Sequence, residues 1–279
     1  MIQNQRILFD DNGTENDLSL NLNNYRADSS VIPFVQGEDY LYIASDLPFN
    51  HRYFLVDVAN DQASVPSVEI WDGSQWHPAV DVLDRTSTAG VTLAESGIIQ
   101  WKLDRDYTWA REGDSEDVTD ISKVGLYDMY WVRFDFSADL LDTTALKYLG
   151  FKFSDDSALF TYYPDLDNSD LMAAFASGKT DWDEQHFIAG EEIGRELKRR
   201  NIIKSLNQVL DYELFERASV HKTAEIIFRG LGRAYIENKD QARKDFVEAM
   251  NAKYYNIDRN SNANLDTDEK GVRTGHMRR

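Results

Sequence analysis

The stretch Tyr127–Phe136, YDMYWVRFDF, restricts the fold of this chain more than any other. Within it Tyr130, Val132, Phe134 and Phe136 alternate with Trp131, Arg133 and Asp135. A side-chain period of two belongs to a half-buried strand. Similar runs surround it: DYLYIAS (Asp39–Ser45), YFLVDVAN (Tyr53–Asn60), SVEIW (Ser67–Trp71), GIIQWKL (Gly97–Leu103) and KYLGFKFS (Lys147–Ser154). Each is short, rich in aromatic and β-branched residues, and bounded by polar Gly, Asp, Asn or Ser segments. Asp72-Gly73, flanked by Trp71 and Trp76, is a hairpin turn signal. Strands at this spacing predict an antiparallel β-sandwich over residues 30–164.

After Pro164 the pattern becomes helical. NSDLMAAFASG offers Asn168 or Ser169 as a cap and Gly178 as a stop. TDWDEQHFIAGEEIGRELKRR places Thr180 and Asp183 at capping-box spacing. Its Trp182, Ala189, Ile193 and Leu197 fall on one side. Its acids come early and Lys198, Arg199 and Arg200 come last, which suits the helix dipole. LNQVLDYELFERAS, HKTAEIIFRGLGRAYI and KDQARKDFVEAMNAKYY read as shorter helices, with Ile188, Ile193, Leu197, Leu206, Val209 and Leu210 as interior. The expected fold class is α+β, an N-terminal antiparallel β-sandwich followed by a small α-helical bundle. The expected divisions are an extended N-terminal arm (1–29), the sandwich (30–164), a helical core (165–256), and an Asn/Asp-rich loop with a basic tail (257–279).

Charge and composition narrow the function. The net charge is −19, and residues 1–180 carry all of it, with 31 acidic and 12 basic side chains against 18 of each in 181–279. Such a surface repels nucleic acid and cannot neutralise phosphates; the plainer reading is a solubility device, or a protein from salty surroundings. The absence of cysteine excludes disulfides, thiol nucleophiles, iron–sulfur clusters and cysteine-bound zinc. No apolar run approaches the ~20 residues of a membrane span. The start, MIQNQRILFDDNGTEN, lacks the basic and apolar parts of a signal peptide.

Signatures of catalysis are missing. There is no P-loop, G-x-S-x-G or H-E-x-x-H. GLGRAY (Gly230–Tyr235) lacks the third glycine of a dinucleotide fingerprint and reads as close helix packing. His51, His77, His186, His221 and His276 have no metal-ligand spacing and read as surface or partner contacts. Carboxylate pairs carry no information in so acidic a chain. The chain is expected not to be an enzyme.

One motif stands apart. In DRNSNANLDTDE, Asp258, Asn260, Asn262, Asn264, Asp266 and Glu269 occupy positions one, three, five, seven, nine and twelve, as in the calcium loop of EF-hands. Position six is Ala263 where such loops place a glycine at positive φ. The segment reads either as a solvated Asn/Asp loop or as a weak Ca2+ site, on the order of 10⁻⁴–10⁻³ M. No cofactor is required. The tail beyond, KGVRTGHMRR, carries Lys270, Arg273, Arg278 and Arg279 and no acid, and suits docking on an acidic partner or sister subunit.

With these residues in view, the chain resembles the head–tail connector (adaptor or neck) proteins of tailed bacteriophages. One part of the resemblance is IASDLPFNHRYFLVDVAN with VEIWDGSQWHPAVDVLDRT, SGIIQWKLDRDYTWAREG and YDMYWVRFDF, similar to the aromatic-rich β-domain of connector and tail proteins. The second is DWDEQHFIAGEEIGRELKRRNIIKSLNQVLDYELFERASVHKTAEIIFRGLG, similar to the helical core that packs side by side under a portal. The third is the Asn/Asp loop before a tail. Together they cover about residues 30–270. The resemblance implies a virion structural protein in the phage neck, made in the host cytoplasm. It implies a ring of about twelve copies that joins the portal to tail or neck proteins on the distal side. DNA would pass through without sequence-specific binding, and no membrane is involved. Arg195, Lys198, Arg199, Arg200, Lys204, Arg273, Arg278 and Arg279 are the expected oligomer and portal contacts. The competing reading is a carbohydrate-binding or other surface-recognition module with a helical appendage, in which Trp71 and Trp76 form a stacking platform.

Overall fold

The computed structural model describes residues 5–104, 106–115, 128–251, 254–263, 269 and 272–273. Among them the chain is a mixed α/β protein with two antiparallel sheets, of six and five strands, and six α-helices concentrated in the C-terminal half. It divides into two units: residues 1–150 with 260–264, and residues 151–259 with 265–279. None of the described helices is long and apolar enough to cross a membrane.

In the first unit the strands are β1 (Gln5–Asp11), β2 (Thr14–Asp17), β3 (Ser30–Val31), β4 (Tyr40–Ser45), β5 (His51–Val58), β6 (Pro66–Trp71), β7 (Trp76–Pro78), β8 (Val80–Asp84), β9 (Gly97–Lys102), β10 (Tyr130–Phe136) and β11 (Ala145–Gly150), with a short helix α1 (Ser19–Leu22). The six-stranded sheet runs β2-β1-β4-β10-β6-β7 and the five-stranded sheet β3-β11-β5-β9-β8. Both send apolar side chains into one buried cluster. Ile7, Phe9, Leu41, Ile43, Val68, Ile70, Val132, Phe134 and Phe136 come from the first sheet, and Phe54, Ile99, Trp101, Leu146 and Leu149 from the second. The alternation of β10 thus orders the core as expected, with Val132 and Phe134 fully buried. The other face of the six-stranded sheet is apolar too. There Leu8, Tyr42, Ala44, Trp71, Trp76 and Trp131 form a separate cluster.

Two expected divisions differ from what is observed. The N-terminal segment 1–29 is no extended arm, because β1 pairs with β4 over Gln5–Asp10 and supplies Ile7 and Phe9 to the core. Its RILFD run is short and ends in acids, which hides a strand buried on both faces. The unit boundary falls after Gly150 instead of after Pro164. Before that proline comes a further helix, α2 (Asp156–Tyr162), capped by the Asp155 side chain accepting from Ala158 N at 2.8 Å.

In the second unit α2 is followed by α3 (Ser169–Phe175), α4 (Asp183–Arg199), α5 (Glu216–Leu231) and α6 (Ile236–Ala249), and the two-residue strands β12 (Tyr254–Tyr255) and β13 (Val272–Arg273) pair antiparallel. Asn168 caps α3 as its sequence suggests, accepting from Asp170 N at 2.8 Å. The capping box of Thr180 and Asp183 does not form. The helix starts after Trp182 with no side-chain cap, and Asp181 takes the Asp183 N–H. Trp182, Ala189, Ile193 and Leu197 are all fully buried. Val209 and Leu210 are buried as well, whereas Ile188 and Leu206 are only partly so. LNQVLDYELFERAS is mostly two 3-10 turns, Leu206–Gln208 and Tyr212–Phe215, with α-helix beginning at Glu216. Ser205 and Gln208 form a capping box there, so local side-chain bonds stop the longer helix.

The GLGRAY segment is a packing device. Gly232 ends α5 at φ 90°, and a Cβ on Gly230 would lie 2.2 Å from Cε2 of the Phe175 ring. Gly230→Ala should therefore displace Phe175 and cost about 1–2 kcal/mol, the lower part of the overpacking range because the obstacle is a side-chain ring and not backbone. Chemical denaturation followed by far-UV circular dichroism measures it, and an unchanged midpoint would refute the contact.

Candidate functional site

The tryptophans at the Asp72-Gly73 turn were the first candidates for a recognition surface. The turn is a four-residue loop closed by the Trp71–Trp76 pair. Asp72 Oδ1 accepts from the backbone N–H groups of Ser74 and Gln75, each at 2.8 Å, and Gly73 takes φ 103°. Both rings turn inward: Trp71 is 0% exposed and Trp76 9%. Trp71 Nε1 donates to Ser115 Oγ at 2.8 Å, and Trp109 Nε1 donates to the Trp131 carbonyl at 3.1 Å. The Arg133 guanidinium, paired with Glu69, lies 4.9 Å from the Trp76 ring centroid and 4.5 Å from that of Tyr40. All six tryptophans of the chain are buried. No indole face is open to stack on a sugar.

Beside the turn, His77 is held between an acid and a ring. Its Nε2 donates to Asp72 Oδ2 at 2.7 Å, and it stacks on Tyr107 with centroids 3.5 Å apart. Burial pushes the Asp72 carboxyl up, and hydrogen bonds from Gln75, Ser74 and His77 more than reverse it.

The second unit contains a polar cluster that no sequence spacing reveals. Its members are Ser154, Asp156, His186, Ser219 and Thr223. Asp156 Oδ1 accepts from His186 Nε2 at 3.1 Å, and His186 Nδ1 lies 2.8 Å from Ser154 Oγ and 3.2 Å from Thr223 Oγ1. The order Ser–His–Asp is that of a nucleophile relay. Ser154 is 7% exposed and its hydroxyl donates to Ser219 Oγ at 2.7 Å. Burial holds His186 below the usual histidine range. The cluster ties α2, α4 and α5 together, with Lys152 Nζ bonded to Asp183 Oδ1 at 2.5 Å close by. In the same unit Pro164, Asp165, Asp167, Asn168, Leu171 and Tyr235 line an open groove of about 470 Å3.

The expected contact cations are mostly engaged within the chain. Arg195 pairs with Glu191 and Glu192, Arg199 with Glu196, and Arg200 with both Glu196 and the Met250 carbonyl. These bonds, Arg199's first, hold the Glu196 carboxyl at about 2. Lys198, Arg199 and Lys204 are exposed. Arg273 pairs through its backbone with Tyr254. Arg278 and Arg279 lie outside the described residues.

The Asn/Asp loop is only partly described, since Asn264 and Asp266 also lie outside. Asp258 and Glu269 belong to the second unit and Asn260–Asn264 to the first. Asp258 is fully buried, and its N–H and carbonyl bond the carbonyl and Nε2 of Gln208. Glu269, 2% exposed, accepts from Arg259 N at 2.6 Å. Asn260 Oδ1 accepts from Asn262 N at 3.1 Å. Ala263 adopts φ 58° without being a glycine, and its side chain is packed in the first unit's apolar cluster. Among the described residues no three His, Asp or Glu side chains are grouped to hold a metal.

No protein-family model matches the sequence, and no curated protein matches it.

Proposed function

We propose that the protein is a virion structural component, a head–tail adaptor of a tailed bacteriophage that forms a ring between portal and tail. In this reading the two sheets are the layers of a β-sandwich and α2–α6 form a small bundle that packs against neighbouring subunits. The observation that carries the reading is the partition of charge between the units. Residues 1–150 hold 26 acidic and 10 basic side chains, while residues 151–279 hold 23 and 20. A strongly acidic body beside a DNA conduit keeps the genome from adhering as it passes. A nearly balanced helical unit can exchange its internal ion pairs for contacts with a neighbour. The buried tryptophans support a scaffold and count against the carbohydrate-binding reading, which needs an exposed ring.

The test is assembly with a portal. The chain alone should be monomeric or weakly associated, and should order as a ring of about twelve when mixed with portal rings. Lys198→Glu, Arg199→Glu and Lys204→Glu together should weaken this docking and leave the circular dichroism spectrum unchanged. Arg200 is omitted because it also supports Met250. Light scattering and negative-stain microscopy read the outcome. Normal assembly of the triple variant would reduce those cations to surface charges, and failure of the unmodified chain to bind any portal would reject the adaptor reading.

A further inference from the structure

We propose that Asn12 is a self-catalysed deamidation site, held in check by the β1–β2 turn. Asn12-Gly13 is the two-residue loop of this hairpin, closed by the Asp11–Thr14 pair with both loop residues at positive φ, 45° and 86°. An asparagine followed by glycine is the pairing most open to intramolecular attack, since glycine adds no side chain to block the approach. The Gly13 backbone nitrogen attacks Cγ of Asn12, forming a C–N bond. Nδ2 leaves as ammonia, carrying away the proton lost by Gly13. A water molecule then opens the five-membered succinimide at either carbonyl, leaving aspartate or isoaspartate and one new negative charge.

The structure controls the first step at both reacting atoms. The attacking nitrogen is committed elsewhere, because Gly13 N–H donates to Asp10 Oδ1 at 2.8 Å. The amide under attack is also held. Asn12 Nδ2 donates to Glu38 Oε2 at 3.3 Å, and Asn12 N donates to Asp39 Oδ1 at 2.9 Å. Asp10 is 6% exposed and Asp39 1%, so both acceptors sit on fixed supports. Asn12 itself is exposed, and water reaches it freely. Attack therefore waits for the turn to open.

The product cannot restore the turn. A carboxylate at position 12 loses the donor that met Glu38 and stands among Asp10, Asp11, Glu38 and Asp39. Isoaspartate adds a backbone carbon to a two-residue loop, which breaks the Asp11–Thr14 register. β2 is an edge strand of four exposed residues that pairs, among the described residues, only with β1. The modification is thus a one-way loosening of the β1–β2 edge of the six-stranded sheet.

The experiment incubates the whole chain at pH 8 and 37 °C and follows isoaspartate at position 12 by peptide mapping. The folded protein should react at least about tenfold more slowly than the same chain in denaturant, since opening of the turn limits the rate. Asp10→Ala, which frees Gly13 N–H, should react severalfold faster than the folded parent. Hydrogen exchange at Thr14–Asp17 should quicken in the modified fraction alone. Equal rates in the folded and denatured chain would overturn the proposal, as would a folded Asp10→Ala variant as slow as the parent. Should circular dichroism show that Asp10→Ala has lost its fold, Glu38→Ala on the exposed rim carries the same comparison with the same two outcomes.

Discussion

Gly97→Ala is expected to cost the protein about 3 kcal/mol or more, at the upper end of overpacking penalties. Gly97 opens β9 and pairs with Phe54 of β5. A Cβ added there would lie 2.1 Å from the Arg85 carbonyl oxygen, 2.6 Å from its carbon and 3.0 Å from Thr86 N. All three are backbone atoms. The backbone at this point is fixed by Arg85 N–H donating to the Ile98 carbonyl at 2.9 Å, so the chain after β8 cannot retreat without breaking its bond to β9. That separates this glycine from Gly230, where only a ring must move. Denaturant unfolding monitored by tryptophan fluorescence reports on this unit, which holds five of the six tryptophans. A midpoint within experimental error of the parent would mean that β8 and β9 are not so close.

Acidification from pH 7 to pH 5 is expected to remove about 2 kcal/mol from the same unit through one side chain. His51 is 2% exposed on β5, with Nδ1 bonded to Asn50 Oδ1 at 2.8 Å and Arg52 next to it. Burial, and then the charge of Arg52, pushes its pKa down from 6.5 to about 3. The folded protein keeps His51 neutral while the unfolded chain takes up a proton below pH 6.5. Stability is complete above that value and falls by about 1.4 kcal/mol for each unit below it, until pH approaches 3. In the second unit, burial also lowers His186 and His221, which gives the same sign. His51→Gln should flatten the slope between pH 6.5 and 5 in the first unit and leave the second unchanged. If the variant kept the parent's pH dependence, His51 would not be the group responsible.

These two residues mark how far the chain could be read before its structure. The six aromatic-rich runs all contain strands, at nearly the expected bounds, and Val132, Phe134 and Phe136 point inward as their alternation requires. The Trp182, Ala189, Ile193 and Leu197 stripe is likewise buried along α4. β1, β2, β3, β7 and β8 were not legible. They are two to seven residues long and their apolar residues are few or interrupted by polar ones, so their strand character comes from the neighbours they pair with and not from their own pattern. The tryptophans could be counted but not placed. Trp131 and Trp71 sit on the face of the sheet that alternation assigns to solvent, and they are dry because other segments cover that face. The arginines of α4 were legible as a basic helix end, but their capture by Glu191, Glu192 and Glu196 depended on rotamers and spacing along the helix surface.

What the sequence determined by itself was periodic and local: β-structure first, helices after, acids concentrated in the first part, and the hairpin turn at Asp72-Gly73. Tertiary structure alone decided whatever required distant segments to meet. It drew Gln5–Asp11 into the six-stranded sheet, moved the boundary to Gly150, and assembled Ser154, His186, Ser219 and Thr223 from three separate stretches of chain. The physical reason is the same in each case. A hydrogen-bond partner or a covering side chain far along the chain leaves no periodic trace in the residues it satisfies.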